Sequence, residues 1–240
     1  MAPKTLAPAA VLACAVAAAC GTTAPAPLPV VRCDSTVTAE SVQAFALGDV
    51  GVYVEGSDAS LAPVRADLGS YLGAMWGGAV PVGSGPPDGT KPLSLWVSSR
   101  PAAASLAGTT IADGYLLKRV DAGGATTLLV YAAGAADLAS GAYALLEELG
   151  ARFFHPKQEL VPALGAPRVP TSLDVWRRPL ARRRGLQPHT LHPIEYQPVF
   201  MEPGDANLAD AKRYVDWLVK TGQNYVQWPL LATVDWASWQ

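Results

Sequence analysis

Hydrophobic and polar positions change their period several times along the chain, and each change marks a predicted element. Val50–Val54 is a short apolar run and predicts a strand. Apolar residues recur at helical spacing through 61–75, which predicts a helix that is capped by Ser57-Asp58 and ends at Gly77-Gly78. Apolar residues alternate in 92–98, which predicts a second strand.

The same pattern continues through a hairpin, a helix and a further strand. Strands are predicted over 114–120 and 126–131, joined by the turn signal Asp121-Ala122-Gly123-Gly124. A helix follows whose apolar face is formed by Leu138, Ala142, Leu145, Leu146 and Leu149. Gly150 ends that helix, and 151–155 returns to a strand. The order β-α-β-β-β-α-β over 44–156 predicts an α/β domain with a mixed sheet and helices packed on it.

A second pattern begins after a Pro-rich stretch, 157–179, which we interpret as a linker. A strand is predicted near Arg184, and a helix is capped by Asp205 and ends at Thr221-Gly222. The apolar face of this helix is predicted to consist of Leu208, Ala211, Val215, Leu218 and Val219. Another strand follows over 224–230. One strand-helix-strand unit cannot bury its own faces, so we expect 180–240 to be the truncated start of a larger domain.

The first twenty residues have the features of an export signal. Lys4 supplies a positive charge, and the apolar run 6–19 is too short to span a bilayer. Ala17-Ala18-Ala19-Cys20 resembles the lipobox of bacterial lipoproteins, which implies lipidation of Cys20 and a membrane anchor. Ala17 stands where that pattern prefers leucine, and Val11-Leu12-Ala13-Cys14 fits better but leaves almost no apolar core before it. We therefore predict a signal peptide over 1–20.

Ordinary secretion is the alternative to lipidation. In that case Cys20 and Cys33 can form a local disulfide. Residues 21–43 contain an Ala/Pro-rich stretch and are interpreted as an extended tether. The expected location is thus the bacterial cell envelope, or the medium if the protein is secreted.

Composition and motifs exclude several other classes. The net charge of −2 provides no field that would favour nucleic acid. The sequence has no glycine-rich phosphate loop, no serine elbow and no zinc-ligand spacing. We therefore expect no nucleic-acid partner, no cofactor and no metal.

Several short motifs carry a resemblance to a known group of enzymes. They are Gly114-Tyr115, Ala132-Ala133-Gly134, Gly141-Ala142-Tyr143, the segment LLEELG at 145–150 and RFFHP at 152–156. This series resembles the N-terminal accessory domain of bacterial glycoside hydrolases, namely the family 67 α-glucuronidases and the β-hexosaminidase-like enzymes. In those proteins such a domain precedes a (β/α)8 barrel. The segments RRRGLQPH and YVDWLVKTGQNYVQW resemble the first strand, first helix and second strand of that barrel.

The resemblance implies the N-terminal portion of an exported enzyme that hydrolyses O-glycosyl bonds in polysaccharides. Hydrolysis needs two carboxylates, and barrel enzymes place them at the ends of several strands. We expect this pair beyond residue 240, so the fragment itself is predicted to be inactive. Glu195, Glu202 and Asp235 are interpreted as solvated loop residues. The alternative is a non-catalytic surface lipoprotein that binds carbohydrate.

Four residues are candidates for contacts with a carbohydrate substrate. Arg184 ends a run of arginines that can attract an acidic sugar, although a solvated linker face explains the run as well. His189 and His192 follow the first barrel strand and can donate to sugar hydroxyls; the alternative is local hydrogen bonding. Trp228 ends the second barrel strand and either stacks on a sugar ring or fills the barrel core.

Two residues of the accessory domain are expected to have packing roles. Gly141 can let its helix approach the sheet closely. His155 follows Phe153 and Phe154, which are expected to face opposite sides of their strand. We interpret His155 as a capping or interface residue, with a substrate cleft between domains as the alternative.

Overall fold

A six-stranded mixed sheet forms the centre of the protein. The computed structural model describes residues 41–186, 199 and 204–227, all within one compact unit. The strands are β1 (Val42–Ala44), β2 (Val50–Val54), β3 (Val82–Gly83), β4 (Leu93–Ser98), β5 (Tyr115–Ala122), β6 (Ala125–Ala132), β7 (Arg152–His155), β8 (Gln158–Leu160), β9 (Arg168–Pro170), β10 (Asp174–Arg177), β11 (Gly185–Leu186) and β12 (Tyr225–Val226). The helices are α1 (Leu61–Trp76), α2 (Pro101–Ala107), α3 (Ala135–Glu148) and α4 (Asp205–Lys220).

Predictions that fall on other residues lie outside the described ranges. These are the signal peptide 1–20 with its lipid site at Cys20, most of the tether, the candidates His189, His192 and Trp228, and the carboxylates Glu195, Glu202 and Asp235. Of the helices described, none combines the length and the apolarity that crossing a bilayer requires.

The strand order in the central sheet is β10-β5-β6-β4-β2-β3. The four strands β6, β4, β2 and β3 run parallel, and β5 is antiparallel to both of its neighbours. The β5–β6 hairpin turns at Gly123 and Gly124, whose positive φ angles of 59° and 83° suit a tight two-residue turn. The predicted α/β class with a mixed sheet is confirmed.

Helices cover both faces of this sheet, but unequally. The main core lies on one face, where α1 and α3 pack on β2, β4 and β6. Leu68 and Leu72 of α1 and Leu145 and Leu146 of α3 are completely or almost completely buried there. The short helix α2 packs against the opposite face, over Trp96, Leu116, Leu129 and Tyr131. Helix α2 was not predicted from the sequence, because its seven residues are too few to display a period.

Gly141 allows close contact between α3 and the sheet. A Cβ atom at this position would lie 2.6 Å from Cγ1 of Val130 and 3.1 Å from Cβ of Tyr115. Both distances are below ordinary van der Waals contact, so only glycine fits without a shift of the helix. This geometry agrees with the packing role expected for Gly141.

The chain after α3 departs from the sequence interpretation in the position of β7 and in the segment that follows it. Strand β7 pairs with β8 in a separate two-stranded sheet and does not join the central sheet. Its Phe153 is buried against the rings of Tyr71 and Tyr143, which are on helices, while Phe154 is exposed as expected for the other side. The buried side chain of β7 therefore packs on helices α1 and α3 through aromatic contacts.

The segment 157–179, which we interpreted as a linker, contains three strands. Strand β9 pairs with β1, and β10 forms one edge of the central sheet by pairing with β5. Arg119 of β5 binds the chain that connects β9 to β10. Its backbone N–H donates to the carbonyl of Leu173, and its Nη1 donates to the carbonyl of Pro170. Short strands with mixed exposure show no clear alternation, so the sequence pattern did not reveal them.

The second pattern folds as a parallel strand-helix-strand unit. Strand β11 pairs in parallel with β12, and α4 connects them. The apolar face of α4 differs from the prediction, because Leu218 is buried whereas Leu208, Val215 and Val219 are exposed. Tyr214 takes their place as a buried residue and packs beside Leu186 of β11.

Replacing Gly141 with alanine is expected to destabilise the fold. Alanine favours a helix over glycine by about 1 kcal/mol, but the added methyl group overpacks the α3–sheet contact at a cost of about 1–3 kcal/mol. We expect Gly141→Ala to lower the free energy of unfolding in a urea titration. The matched control is Gly85→Ala, where an added Cβ meets nothing within 4 Å. A stabilised Gly141→Ala protein would contradict the close approach.

Candidate functional site

A buried lysine gathers polar side chains from four parts of the chain. Helix α4 contributes Asp216 and Lys220, which are one turn apart and face the same way. Helix α1 contributes Asp67 and Tyr71, also one turn apart. With Tyr143 of α3 and Glu159 of β8, these residues form what we call the Lys220 cluster.

Lys220 makes short contacts with several members of the cluster. Its Nζ lies 2.6 Å from Oδ2 of Asp216, 2.7 Å from the hydroxyl of Tyr71 and 2.9 Å from Oε1 of Glu159. Nζ also lies 4.0 Å from Oδ2 of Asp67. Only 6% of the lysine side chain is exposed. The ammonium group thus exchanges its water shell for carboxylate and phenol oxygens.

The tyrosines complete the cluster as hydrogen-bond donors. The hydroxyl of Tyr143 donates to Oδ2 of Asp67 at 2.7 Å, and the hydroxyl of Tyr71 donates to Oε2 of Glu159. Nζ of Lys220 also lies 5.1 Å from the centre of the Tyr71 ring and 5.7 Å from that of Phe153, within the range of a cation–π contact. Polar and aromatic groups therefore surround the buried charge together.

Protonation in the cluster follows from these contacts. Burial acts to lower the pKa of Lys220, but the hydrogen bonds with Asp216, Tyr71 and Glu159 outweigh it and raise this pKa above its ordinary value. Burial raises the pKa of Asp67, with only partial relief from Tyr143 and Lys220. Burial also raises the pKa values of Tyr71 and Tyr143.

These shifts show what the cluster can do chemically. Lys220 stays charged and both tyrosines keep their protons at neutral pH, so the cluster is a set of fixed hydrogen bonds. The carboxylates of Asp67 and Glu159 accept hydrogen bonds from protein donors rather than facing open space. The Lys220 cluster is therefore a fastening between α4 and the α/β domain, and its geometry does not suggest acid–base catalysis.

A groove of about 660 Å³ runs beside the cluster, between α4 and the first turns of α1 and α3. The exposed apolar residues Leu208, Val215 and Val219 of α4 form one wall. Tyr143 and Asp216 belong both to the groove and to the Lys220 cluster. In the part of the chain that the structure describes, no group of three or more His, Cys, Asp or Glu residues is placed to hold a metal ion.

Arg184 is the one predicted substrate contact within the described ranges, and it lines this groove. Its Nε donates to the carbonyl of Gly222 and its Nη1 donates to the carbonyl of Ala181, both at 2.9 Å. Its backbone N–H donates to Oδ1 of Asn224. These bonds connect β11 to the turn after α4. They account for an arginine at this position even when no ligand is bound. Its contact with a substrate stays a prediction.

Three other arginines of the basic run contact separate partners. Arg177 lies 3.4 Å from Glu148, and Arg178 lies 2.8 Å from Asp113. Arg183 lies over the ring of Tyr225, 5.3 Å from its centre. The structure therefore distributes these guanidinium groups along the surface and does not converge them on one carboxylate site.

His155 lies where β7 meets α4. Its ring packs edge-to-face with Tyr214 of α4 at 5.9 Å, and its Nδ1 accepts the backbone N–H of Lys157 at 3.2 Å. Nearby, Nε1 of Trp217 donates to the carbonyl of Phe153 at 3.0 Å. These contacts agree with the interpretation of His155 as an interface residue.

The sequence interpretation missed the Lys220 cluster as a unit. Its available signals were the spacings of Asp67 and Tyr71 on α1 and of Asp216 and Lys220 on α4. Each spacing alone also suits a solvated helix surface. The partners of Lys220 on α1 and β8 are 149 and 61 positions away, so no local pattern could have joined them.

Replacing Lys220 with methionine is expected to weaken the attachment of α4. The change keeps roughly the side-chain length but leaves the partly exposed carboxylates of Asp216, Glu159 and Asp67 without their shared cation. Loss of these charge-assisted hydrogen bonds should cost about 2 kcal/mol. We expect a correspondingly lower free energy of unfolding at neutral pH in a urea titration.

The matched control is Lys157→Met. Nζ of Lys157 lies 3.0 Å from Asp210 of α4, but its side chain is 41% exposed. An exposed pair is worth less than about 1 kcal/mol, so this variant should stay close to the unchanged protein. Equal losses in the two variants would refute a special role for the buried lysine.

Comparisons with known proteins give a structural likeness only. No protein-family model matches the chain, and no curated protein does. Among solved structures, the chain is similar to an N-acetyl-β-hexosaminidase from Streptomyces plicatus, at 19% identity and a TM-score of 0.46. It is also similar to the GH20 β-N-acetylhexosaminidase from Streptomyces coelicolor A3(2), at 20% identity and a TM-score of 0.47. Each likeness covers 78% of this chain and 31% of the enzyme. At these TM-scores it assigns neither a family nor an activity.

Proposed function

We propose that this chain is the N-terminal portion of an exported glycoside hydrolase. In this proposal the α/β domain supports a (β/α)8 barrel of which β11, α4 and β12 are the first elements. The catalytic carboxylates lie at the ends of later barrel strands, beyond residue 240. The observation that carries the proposal is the parallel strand-helix-strand unit fastened to the α/β domain through Lys220.

The exposed face of α4 supports a barrel context. Leu208, Val215 and Val219 lie on the part of α4 that its own strands leave uncovered. In a (β/α)8 barrel each helix packs against the strands and against neighbouring helices, which would cover such a stripe. The motifs from Gly114 to Pro156, with their resemblance to accessory domains of glycoside hydrolases, are consistent with the same arrangement.

Activity is expected in the complete gene product and not in residues 21–240 alone. Both proteins would be assayed for release of 4-nitrophenol from aryl N-acetyl-β-glucosaminide and aryl β-glucoside, and for cleavage of glucuronoxylan fragments. The longer protein should hydrolyse at least one of these substrates. Turnover by residues 21–240 would contradict the proposed position of the catalytic pair. A longer protein that binds polysaccharide without cleaving it would favour the carbohydrate-binding lipoprotein instead.

We further propose that the protein is a lipoprotein of the bacterial envelope, attached through Cys20. The support is a positively charged residue followed by an apolar run within residues 1–19, with small residues directly before Cys20. An Ala/Pro-rich tether would then hold the α/β domain away from the membrane.

Lipid attachment can be tested by metabolic labelling with an alkyne fatty acid in a bacterial host. The unchanged protein should take up label and partition with membranes. Cys20→Ser should lose the label, whereas Cys14→Ser, which alters the neighbouring candidate motif, should keep it. Loss of label in Cys14→Ser but not in Cys20→Ser would assign the lipid to Cys14 instead. Absence of label from the unchanged protein would favour secretion.

A further inference from the structure

The carboxyl edge of the central sheet contains a crevice that the proposed hydrolase function does not use. Strands β2 and β4 are parallel neighbours in the middle of the sheet. The helix after β2, α1, covers one face, and the helix after β4, α2, covers the other. The two connections therefore diverge, and this leaves an opening at the carboxyl ends of β2 and β4. Open α/β sheets bind ligands at such switch points.

Polar side chains from several elements line this crevice, which has a volume of about 500 Å³. Glu55 and Ser57 follow β2, Ser84 follows β3, and Arg100 follows β4. Arg65 reaches the crevice from α1. The volume falls within the usual range for small-molecule sites.

The carboxylate of Glu55 is held in a fixed position. The buried hydroxyl of Ser98 donates to its Oε2 at 2.8 Å, and that hydroxyl accepts the backbone N–H of Arg100 at 3.1 Å. Only 17% of the Glu55 side chain is exposed. A chain of hydrogen bonds thus connects the ends of β2 and β4 and orients one carboxylate toward the crevice.

The two guanidinium groups are placed differently. Arg65 is anchored, since its Nε donates to the carbonyl of Val54 at 3.1 Å and its Nη2 donates to the carbonyl of Gly56. Arg100 is 59% exposed, and its Nε lies 3.8 Å from Oε1 of Glu55, beyond hydrogen-bond distance. One arginine is therefore held by backbone carbonyls in the wall of the crevice, and the guanidinium of the other is exposed to solvent and to a ligand.

The charges of this crevice identify the class of ligand. Among the described lining residues, two guanidinium groups face one carboxylate, an excess of one positive charge. A ligand carboxylate can bind arginine through two parallel hydrogen bonds. Ligand hydroxyls can donate to Glu55 and exchange hydrogen bonds with Ser57 and Ser84. We propose that this crevice binds a small polyhydroxy monocarboxylate, with its carboxylate at Arg100 and its hydroxyls at Glu55.

Calorimetric titration of the 240-residue chain can test this site with three related probes. D-gluconate has the carboxylate and the hydroxyls, sorbitol has the hydroxyls without the charge, and acetate has the charge without the hydroxyls. Gluconate should bind at least tenfold more tightly than either of the others. Equal binding of sorbitol would overturn the role of charge, equal binding of acetate would overturn the role of hydroxyls, and no binding of gluconate would overturn the site.

Two variants place the binding at the crevice. Arg100→Gln should weaken gluconate binding about tenfold or more, as expected for the loss of a charge-assisted hydrogen bond. Its control is Arg178→Gln, a similarly exposed arginine paired with Asp113, which should leave binding unchanged. Glu55→Gln keeps an acceptor for Ser98 but removes the negative charge, so acetate should bind more tightly and the preference for gluconate should shrink. Gluconate binding that is insensitive to Arg100→Gln would overturn the proposal, whatever the outcome of the hydrolase assay.

Discussion

The arrangement of the described chain depends on one buried ammonium group. Lys220 is at the last turn of α4, yet its oxygen partners come from α1, β8 and α4 itself. The buried ammonium group would be costly without opposite charges, and the partly exposed carboxylates of Asp67, Glu159 and Asp216 supply them. The position of α4 on the α/β domain is therefore specified by charge as well as by shape. The edge-to-face contact of His155 with Tyr214 extends the same interface.

Local signals were sufficient for most of the central sheet and its large helices. The run Val50–Val54, the helical spacing that begins at Leu61 and the glycine pair after Ala122 each define an element through neighbours in sequence. These features depend on backbone preference and on burial of one face, which a short window displays. The close approach at Gly141 was also predictable, since a glycine inside an apolar helix face indicates tight packing.

The elements that the sequence did not predict correctly depend on partners that are distant in the chain. Strand β7 has strand-forming residues, but its buried Phe153 packs on the rings of Tyr71 and Tyr143, which are far away in the chain. Strand β10 joins the sheet only because β5 offers it an open edge. Most of the predicted substrate contacts lie outside the described ranges, and Arg184 is used by nearby carbonyl groups. A basic run in sequence therefore says little about where guanidinium groups converge.

The fold separates two kinds of polar site by how their hydrogen bonds are satisfied. In the Lys220 cluster protein donors and acceptors meet one another. The tyrosines keep their protons at neutral pH because burial raises their pKa values, and Lys220 keeps its proton because its hydrogen bonds raise its pKa against the effect of burial. At the carboxyl edge of the sheet, Glu55 is fixed by Ser98 while Arg100 extends into solvent. A closed network gains nothing further from a ligand, whereas an oriented carboxylate beside a solvent-exposed guanidinium can still bind one. Attachment and recognition therefore belong to different surfaces of the same α/β domain.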